Sequence, residues 1–130
     1  MIRENRSMLS IGAVIVGVSD MRRAVEFWTK ALGYVPQDEV TDAWTFLEPP
    51  SGKSGPGLGL QPSEAPVEHH PRIHLDLHAR DTADQAAEVE RLVSLGAQRV
   101  DWDMYPEDPD FVVLADPDGN RFCIIDTSRG

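Results

Sequence analysis

The sequence predicts an α+β fold made of two tandem modules, each with the element order β-α-β-β-β. The first observation behind this prediction is hydrophobic patterning. A strand, an amphipathic helix and three shorter strands follow one another before residue 62, and the same series restarts after residue 71. The second observation is a set of residue matches between the halves that keep their order and a nearly constant offset. The matches pair Leu32-Gly33 with Leu95-Gly96, and Trp44, Leu47, Pro50 and Gly52 with Phe111, Leu114, Pro117 and Gly119.

The first module begins with the apolar, β-branched run IGAVIVGV at residues 11–18, which is typical of a buried strand. Ser19 or Asp20 can cap the helix that follows, because both side chains accept hydrogen bonds from free backbone N–H groups. Apolar residues at helical spacing continue to Leu32, and Gly33 lies where a helix end favours a left-handed residue. The shorter strands of this module are predicted at 35–40, 43–48 and 57–61.

A linker is predicted at residues 62–71, because this segment holds three prolines and no hydrophobic periodicity. The second module starts with a strand at 73–78, where leucines alternate with polar residues. Thr82 and Gln85 are spaced as a capping box, in which each side chain bonds the other's backbone N–H, and Gly96 ends the helix. The remaining strands are predicted at 98–102, 111–115 and 120–126, with a tight turn at 116–119.

These boundaries give a flexible N-terminal arm at residues 1–10 and a single domain at 11–128, with modules at about 11–61 and about 72–128. The net charge of −10 argues against a nucleic-acid or anionic-membrane partner, since both are themselves negatively charged. No apolar run approaches the ~20 residues of a membrane span, and the first residues do not resemble a signal peptide. The single cysteine excludes an internal disulfide and fits a reducing compartment. We therefore expect a cytoplasmic protein.

Three stretches carry a resemblance to a known family: VGVSDMRRAVEFWTKALGY, RIHLDLHARD and LADPDGNRFCII. They resemble the opening strand and helix, the first strand of the second half, and the closing hairpin of the vicinal oxygen chelate superfamily. This superfamily includes glyoxalase I, bleomycin-resistance proteins and extradiol dioxygenases, and the chain is similar to its small, single-domain glyoxalase-like members. The resemblance spans about residues 11 to 126. It implies a cup-shaped, eight-stranded mixed sheet with helices on the outer face, a small-molecule ligand in the concave interior, and a homodimer.

The resemblance also implies positions for a metal, because metal-dependent members place ligands on the first and last strands of each module. Those positions fall here on Ala13, Gly59, His74 and Cys123. His74 keeps a usual ligand, Ala13 and Gly59 carry no ligating side chain, and Cys123 stands where a glutamate is common. We therefore predict no usual metal site. If a divalent metal (Zn, Ni, Fe or Mn) binds, His74 and Cys123 would hold it.

The stretch HLDLH places His74, Asp76 and His78 on one strand face, because alternate strand residues point to the same side. Two histidines and a carboxylate are a ligand set of non-haem iron. One ion cannot easily reach all three, since the outer pair lie roughly 13 Å apart along a strand. Three interpretations stay open: a polar cavity wall, a metal held by His74 with residues of other strands, and metal-free acid–base catalysis by His74.

Four further side chains are candidates for ligand contact. Cys123 should face the cup, as a packed thiol, a nucleophile or a soft ligand. The aromatic candidates could stack on a flat ligand, plug the cup or form a dimer contact. They are Trp44, Trp102 and Tyr105. His69 and His70 lie in the linker, where we expect them to be exposed and without a functional role.

Three functions agree with these observations. The first is binding of a small organic molecule in the cup, with or without metal-free catalysis. The second is a metal-dependent lyase, isomerase or dioxygenase with an atypical ligand set that includes His74. The third is a non-enzymatic, dimeric interaction module whose cup is filled by side chains. We rank the first highest, because Ala13 and Gly59 cannot ligate a metal through their side chains.

Overall fold

The computed structural model describes residues 7–129, so residues 1–6 of the predicted arm lie outside the described residues. The first half contains β1 (Ala13–Val18), α1 (Met21–Leu32), β2 (Val35–Pro36), β3 (Thr45–Glu48) and β4 (Gly57–Pro62). The second half contains β5 (Leu75–Ala79), α2 (Thr82–Leu95), β6 (Gln98–Arg99), β7 (Phe111–Ala115) and β8 (Arg121–Asp126), and then a 3₁₀ turn (Thr127–Arg129). The predicted order β-α-β-β-β is confirmed in both halves.

Each half forms its own four-stranded mixed sheet, ordered β1-β4-β3-β2 and β5-β8-β7-β6. In each sheet the first strand runs parallel to its neighbour, and the other pairs are antiparallel. Identical topology in the two halves is what a duplicated module predicts. The eight strands of the predicted cup therefore belong to two open sheets, which share no hydrogen-bonded strand pair among residues 7–129.

The outermost strands of both sheets are shorter than the sequence predicts. β2 and β6 have two residues each, where strands at 35–40 and 98–102 were expected. Both are edge strands, so a partner stabilises them on one side only. In β2, Pro36 also lacks the N–H that would continue the ladder.

The first helix has the ends that the sequence predicts. Of the two candidate caps, Asp20 rather than Ser19 accepts a hydrogen bond from the backbone N of Arg23, at 3.1 Å. Gly33 follows the last turn in a left-handed conformation, with φ of 71°. Among the described residues, neither helix is long and apolar enough to cross a membrane.

The capping box predicted for the second helix is wrong. The cap of α2 is Asp81, whose carboxylate accepts from the backbone N of Asp84 at 2.8 Å. Thr82 is already the first helical residue, and its hydroxyl donates to Asp126 Oδ2 at 2.5 Å. The side-chain amide of Gln85 donates instead to the carbonyl oxygens of Ile124 at 2.9 Å and Asp110 at 3.1 Å. An aspartate one residue earlier thus takes the capping position.

Three rings from α1 and β8 form the centre of the core. Phe27, Trp28 and Phe122 meet edge-on with centroids 5.0, 5.2 and 6.2 Å apart, and none is more than 2% exposed. Trp28 Nε1 donates to Oδ2 of the buried Asp116 at 3.2 Å, so the indole N–H keeps a partner inside the protein. This bond ties the first helix to the turn before β8.

A second contact between the modules is formed by Asp118, in the same turn. Its Oδ1 accepts from the backbone N of Ser19 at 2.7 Å, from Ser19 Oγ at 2.5 Å and from Arg23 Nη2 at 2.9 Å. Asn120 Nδ2 donates to the carbonyl oxygen of Gly17 at 3.1 Å. The turn between β7 and β8 therefore docks on the end of β1 and the start of α1.

Candidate functional site

One face of the β5–β8 pair carries the polar candidates. The leucines of β5 pack against the core, while Asp76 and His78 are exposed on the opposite face, as the alternation predicts. β8 runs parallel beside β5 with Asp76 opposite Cys123 and His78 opposite Ile125. The polar face of β5 therefore continues across β8 through Cys123 and Ile125.

Three ligand-type side chains converge on this face. His74 Nε2 lies 3.0 Å from Asp76 Oδ1, and Cys123 lies opposite Asp76 on the neighbouring strand. One donor atom from each of the three lies within 4.8 Å of the other two. His74 and Asp76 are half exposed, whereas Cys123 is buried. Nitrogen, oxygen and sulfur donors therefore meet at one point that solvent can reach.

Cys123 is held as a neutral thiol at this position. Burial, followed by the neighbouring Asp76 carboxylate, raises the pKa of the thiol to about 11. A nucleophilic cysteine needs the opposite environment, with a nearby cation or base that favours the thiolate. Of the interpretations of Cys123, nucleophilic catalysis is therefore the one that this environment disfavours.

His78 stands apart from the cluster, although the sequence places it on the same face. It lies opposite Ile125, two residues further along the strand than Asp76. It does not belong to the group formed by His74, Asp76 and Cys123. In the stretch HLDLH, His78 would be the third member of a ligand group with His74 and Asp76. In the structure the third member is Cys123, from the neighbouring strand. Cross-strand neighbours lie closer than alternate residues of one strand, which is why β8 completes the cluster.

A cavity of about 410 Å³, here called the second-sheet cavity, opens over this cluster. The loop after β6 contributes Trp102 and Met104 to its wall. Its other lining residues include His74, which directly precedes β5, and the strand residues Asp76, Phe111, Val113, Cys123 and Ile125. The cavity thus combines an apolar floor with one polar cluster, a composition typical of small-molecule sites.

Tyr105 lies in the same loop as Trp102 but is not among the lining residues of the second-sheet cavity. Its hydroxyl accepts from the backbone N of Val113 at 2.8 Å, and its ring packs on Phe111 at a centroid distance of 5.3 Å. The contacts of Tyr105 therefore secure the loop to β7.

Aromatic rings cover the corresponding face of the first sheet. A Cβ atom at Gly59 would lie 2.6 Å from Trp44 Cη2 and 2.6 Å from Ile15 Cδ1, and a Cβ at Gly57 would lie 2.2 Å from Phe46 Cζ. Trp44 and Phe46 stack with centroids 6.4 Å apart. Trp44 therefore covers Gly59, one of the positions at which the family resemblance implies a metal ligand, and lies outside the second-sheet cavity.

A larger cavity of about 730 Å³, here called the seam cavity, lies where β1 faces the linker and the starts of β5 and β8. Its lining includes residues 13–18 of β1, most of the segment 65–75 and residues 120–122. His74, Pro71 and Arg121 line both cavities, so the two spaces adjoin.

Arg121 is a site residue that the sequence reasoning missed. Its Nη1 donates to the carbonyl oxygen of Gly119 at 2.7 Å, and its Nη2 lies 2.9 Å from His69 Nδ1. Its Nε is buried without a hydrogen-bond partner. The signal was available, because Arg121 stands two residues before Cys123 and strand alternation puts both on one face.

The linker histidines are exposed, as expected, yet both make contacts across the chain. His69 contacts Arg121, and His70 Nε2 lies 2.8 Å from Asp103 Oδ1 with its ring 5.2 Å from that of Trp102. This bond lowers the pKa of Asp103. The linker is thus fastened to the walls of both cavities.

Solved structures with this fold come from several bacteria. A glyoxalase-related enzyme from Fulvimarina pelagi has 20% identity and a TM-score of 0.68, with 91% of this chain and 88% of that chain covered. A possible glyoxalase from Bacillus cereus has 17% identity and a TM-score of 0.68, with 92% and 99% covered. A mutant of the fosfomycin resistance protein FosX from Listeria monocytogenes, complexed with Mn(II) and dihydroxypropylphosphonic acid, has 14% identity and a TM-score of 0.66, with 92% and 89% covered.

The sequence itself identifies the family. No curated protein matches the chain. Residues 13–125, which include both modules and every residue of the polar cluster, match the family model of the glyoxalase-like domain. The repeated β-α-β-β-β topology agrees with the structural relatives, which belong to the glyoxalase, bleomycin-resistance and fosfomycin-resistance proteins. The chain is a member of the glyoxalase-like domain family.

Proposed function

We propose that this protein binds a small organic molecule in the adjoining seam and second-sheet cavities, without a metal at the family's usual positions. The observation that carries the proposal is the pair of cavities that meet at His74 and Arg121. Volumes of about 730 and 410 Å³ fall within the range of roughly 300–1,000 Å³ typical of ligand pockets. Apolar walls would bury the body of the ligand, and the shared polar residues would orient it.

The residues at the usual metal positions support the metal-free part of the proposal. Ala13 and Gly59 offer no side-chain donor, and the indole ring of Trp44 and the terminal methyl of Ile15 occupy the space into which a longer side chain at Gly59 would extend. A ligand set that spans both modules is therefore not available from these positions.

A fragment screen by thermal shift and ligand-observed NMR, run with EDTA throughout, tests the proposal. His74→Trp places a bulky ring where the cavities adjoin and should abolish binding of most hits. His78→Trp, four residues further along the chain and lining neither cavity, is the matched control and should leave binding intact. Absence of hits, or equal loss in both variants, would argue against a ligand in this space.

A metal-dependent reaction is the second candidate, because His74, Asp76 and Cys123 bring three donors within 4.8 Å of one another. Imidazole, carboxylate and thiolate together suit zinc and other first-row divalent metals. A bound metal would supply Lewis-acid polarisation of a substrate oxygen. Ligation would require Cys123 to release the proton that burial and Asp76 now retain, so metal uptake should release protons.

Cobalt titration distinguishes this second candidate from the first. A stoichiometric Co(II) complex with thiolate charge-transfer absorption, lost in Cys123→Ser and His74→Ala, would establish the metal site and contradict the metal-free proposal. Elemental analysis of protein loaded with Zn, Ni, Fe or Mn provides the second readout. His78→Ala is the control, because His78 lies outside the cluster.

The third function, an interaction module with a filled cup, finds partial support in the first sheet alone. Trp44 and Phe46 cover β4 of that sheet, but the seam cavity leaves room beside β1 and the second-sheet cavity leaves room over β8. We also propose a homodimer, as the family resemblance implies, since Ile15, Val35 and Trp44 leave large apolar surfaces exposed. Light scattering coupled to size-exclusion chromatography tests the oligomeric state.

A further inference from the structure

Two arginines of the seam cavity differ from the other described arginines in their partners. Six of the described arginines form ion pairs with carboxylates, namely Arg22, Arg23, Arg80, Arg91, Arg99 and Arg129. Arg72 and Arg121 form no such pair among residues 7–129, and both line the seam cavity. In a chain with a net charge of −10, carboxylates are abundant, so two unpaired guanidinium groups in one cavity require a reason.

The hydrogen bonds of Arg121 leave its charge uncompensated. Its partners are the carbonyl oxygen of Gly119 and a ring nitrogen of His69, neither of which is an anion when it accepts. The buried Nε has no partner. An arginine keeps its charge in proteins, and a partly desolvated cation gains most from an anion that also accepts its free N–H.

The two carboxylates that line the seam cavity do not supply this anion. Asp118 is paired with Arg23 and receives both hydrogen bonds from Ser19 on the same oxygen. Glu68 is exposed in the linker and forms no ion pair among the described residues. The cation of Arg121 is therefore free to bind a negative group that enters from solvent.

The rest of the seam cavity is suited to an apolar body. β1 contributes Val14 and Val16, and the opposite wall contributes Ile73, Leu75 and Phe122. A ligand that combines an apolar body with one anionic group would therefore satisfy both kinds of lining at once.

We infer that the seam cavity takes a small organic anion, a carboxylate, phosphonate or sulfonate on an apolar skeleton, with its anionic group on Arg121 and Arg72. This inference rests on the proposed function and specifies its ligand class. The planar guanidinium of Arg121 would bind two oxygens of the anion, and Arg72 would add a second positive charge.

Two fluorescent probes with related rings separate charge from apolar contact. Anilinonaphthalene sulfonate carries one negative charge, whereas N-phenyl-1-naphthylamine is its neutral counterpart. Wild-type protein should bind the sulfonate more tightly than the amine, and Arg121→Met should weaken sulfonate binding by about tenfold or more with little effect on the amine. Arg121→Lys keeps the charge and should retain much of the sulfonate affinity. Arg99→Met, at an arginine that lines neither cavity, is the control.

The outcomes separate this inference from the proposed function. Equal affinity of the wild-type protein for both probes, or sulfonate binding that Arg121→Met leaves unchanged, would overturn the anion inference while binding in the cavity still stands. Failure of both probes to bind, together with an empty fragment screen, would overturn both. If Arg121→Met does not fold, as judged by circular dichroism, the wild-type salt dependence decides, since salt should weaken only sulfonate binding.

Discussion

Asp76 and Cys123 lie directly opposite each other on the parallel pair β5–β8, where both line the wall of the second-sheet cavity. The thiol is buried, and the carboxylate is half exposed. Burial favours the protonated thiol most, and the negative charge of Asp76 favours it further. Burial and the Asp76 carboxylate therefore act together against a reactive thiolate at Cys123.

The first prediction concerns the reactivity of Cys123. Alkylation by iodoacetamide should be slow at neutral pH and should rise as the pH approaches the thiol pKa of about 11. Asp76→Asn removes the carboxylate but leaves the burial, so its rate profile should shift to lower pH. Mass spectrometry of the alkylated protein measures both profiles. Asp103→Asn, at an exposed carboxylate bonded to His70, is the control, and coincident profiles for all three proteins would contradict the role of Asp76.

The second prediction concerns the contact between modules made by Asp118. Asp118→Ala removes three hydrogen bonds from a side chain that is 4% exposed, so the free energy of unfolding should fall by about 1–3 kcal/mol. Asp42→Ala breaks the exposed pair with Arg22 and should cost less than about 1 kcal/mol. Urea denaturation of both variants measures the difference. Equal losses would mean that Asp118 contributes no more than a surface ion pair.

Local patterns predicted the parts of the fold that depend on neighbours in the chain. The alternation of β5 and the glycine ends of both helices are seen in the structure because their physical causes lie within a few residues. The helix caps show the limit of this reasoning. Where Asp81 and Thr82 stand side by side, both residue types can cap, and the tertiary bond from Thr82 to Asp126 decides which one does.

The sequence predicted His74 and Asp76 as site residues, but it predicted less well which residues of other segments lie beside them. Sequence spacing argued against a triad within HLDLH, but only strand register showed that Cys123 lies opposite Asp76. Trp44 covers Gly59 because of the register in which β3 and β4 pair, and hydrophobic patterning does not specify that register. Contacts between distant segments, such as Arg121 with His69, depend on the docking of whole modules.

The third prediction concerns the glycines beneath the aromatic rings of the first sheet. Gly57→Ala would place a Cβ 2.2 Å from Phe46 Cζ, so the ring must move away from its stack with Trp44. We expect a loss of about 1–3 kcal/mol in the free energy of unfolding. The double variant Gly57→Ala with Phe46→Leu should lose less than the sum of the two single changes, because the shorter side chain removes the overlap. Additive losses would show that the ring does not press on Gly57.

The fourth prediction concerns pH and the buried Asp126 at the end of β8. Hydrogen bonds from Ser128, followed by that from Thr82, lower the pKa of Asp126 below its ordinary value. The folded state therefore binds the Asp126 proton less tightly than the unfolded state. The stability that this carboxylate contributes is present above the ordinary aspartate pKa and is lost as the pH falls through the folded value.

Asp126→Asn should lower the urea midpoint at pH 7, and its difference from wild type should shrink towards pH 3. Asp38→Asn, at an exposed loop residue, is the control and should differ little from wild type at either pH. A gap between Asp126→Asn and wild type that is constant from pH 7 to pH 3 would show that the charge of Asp126 does not stabilise the fold.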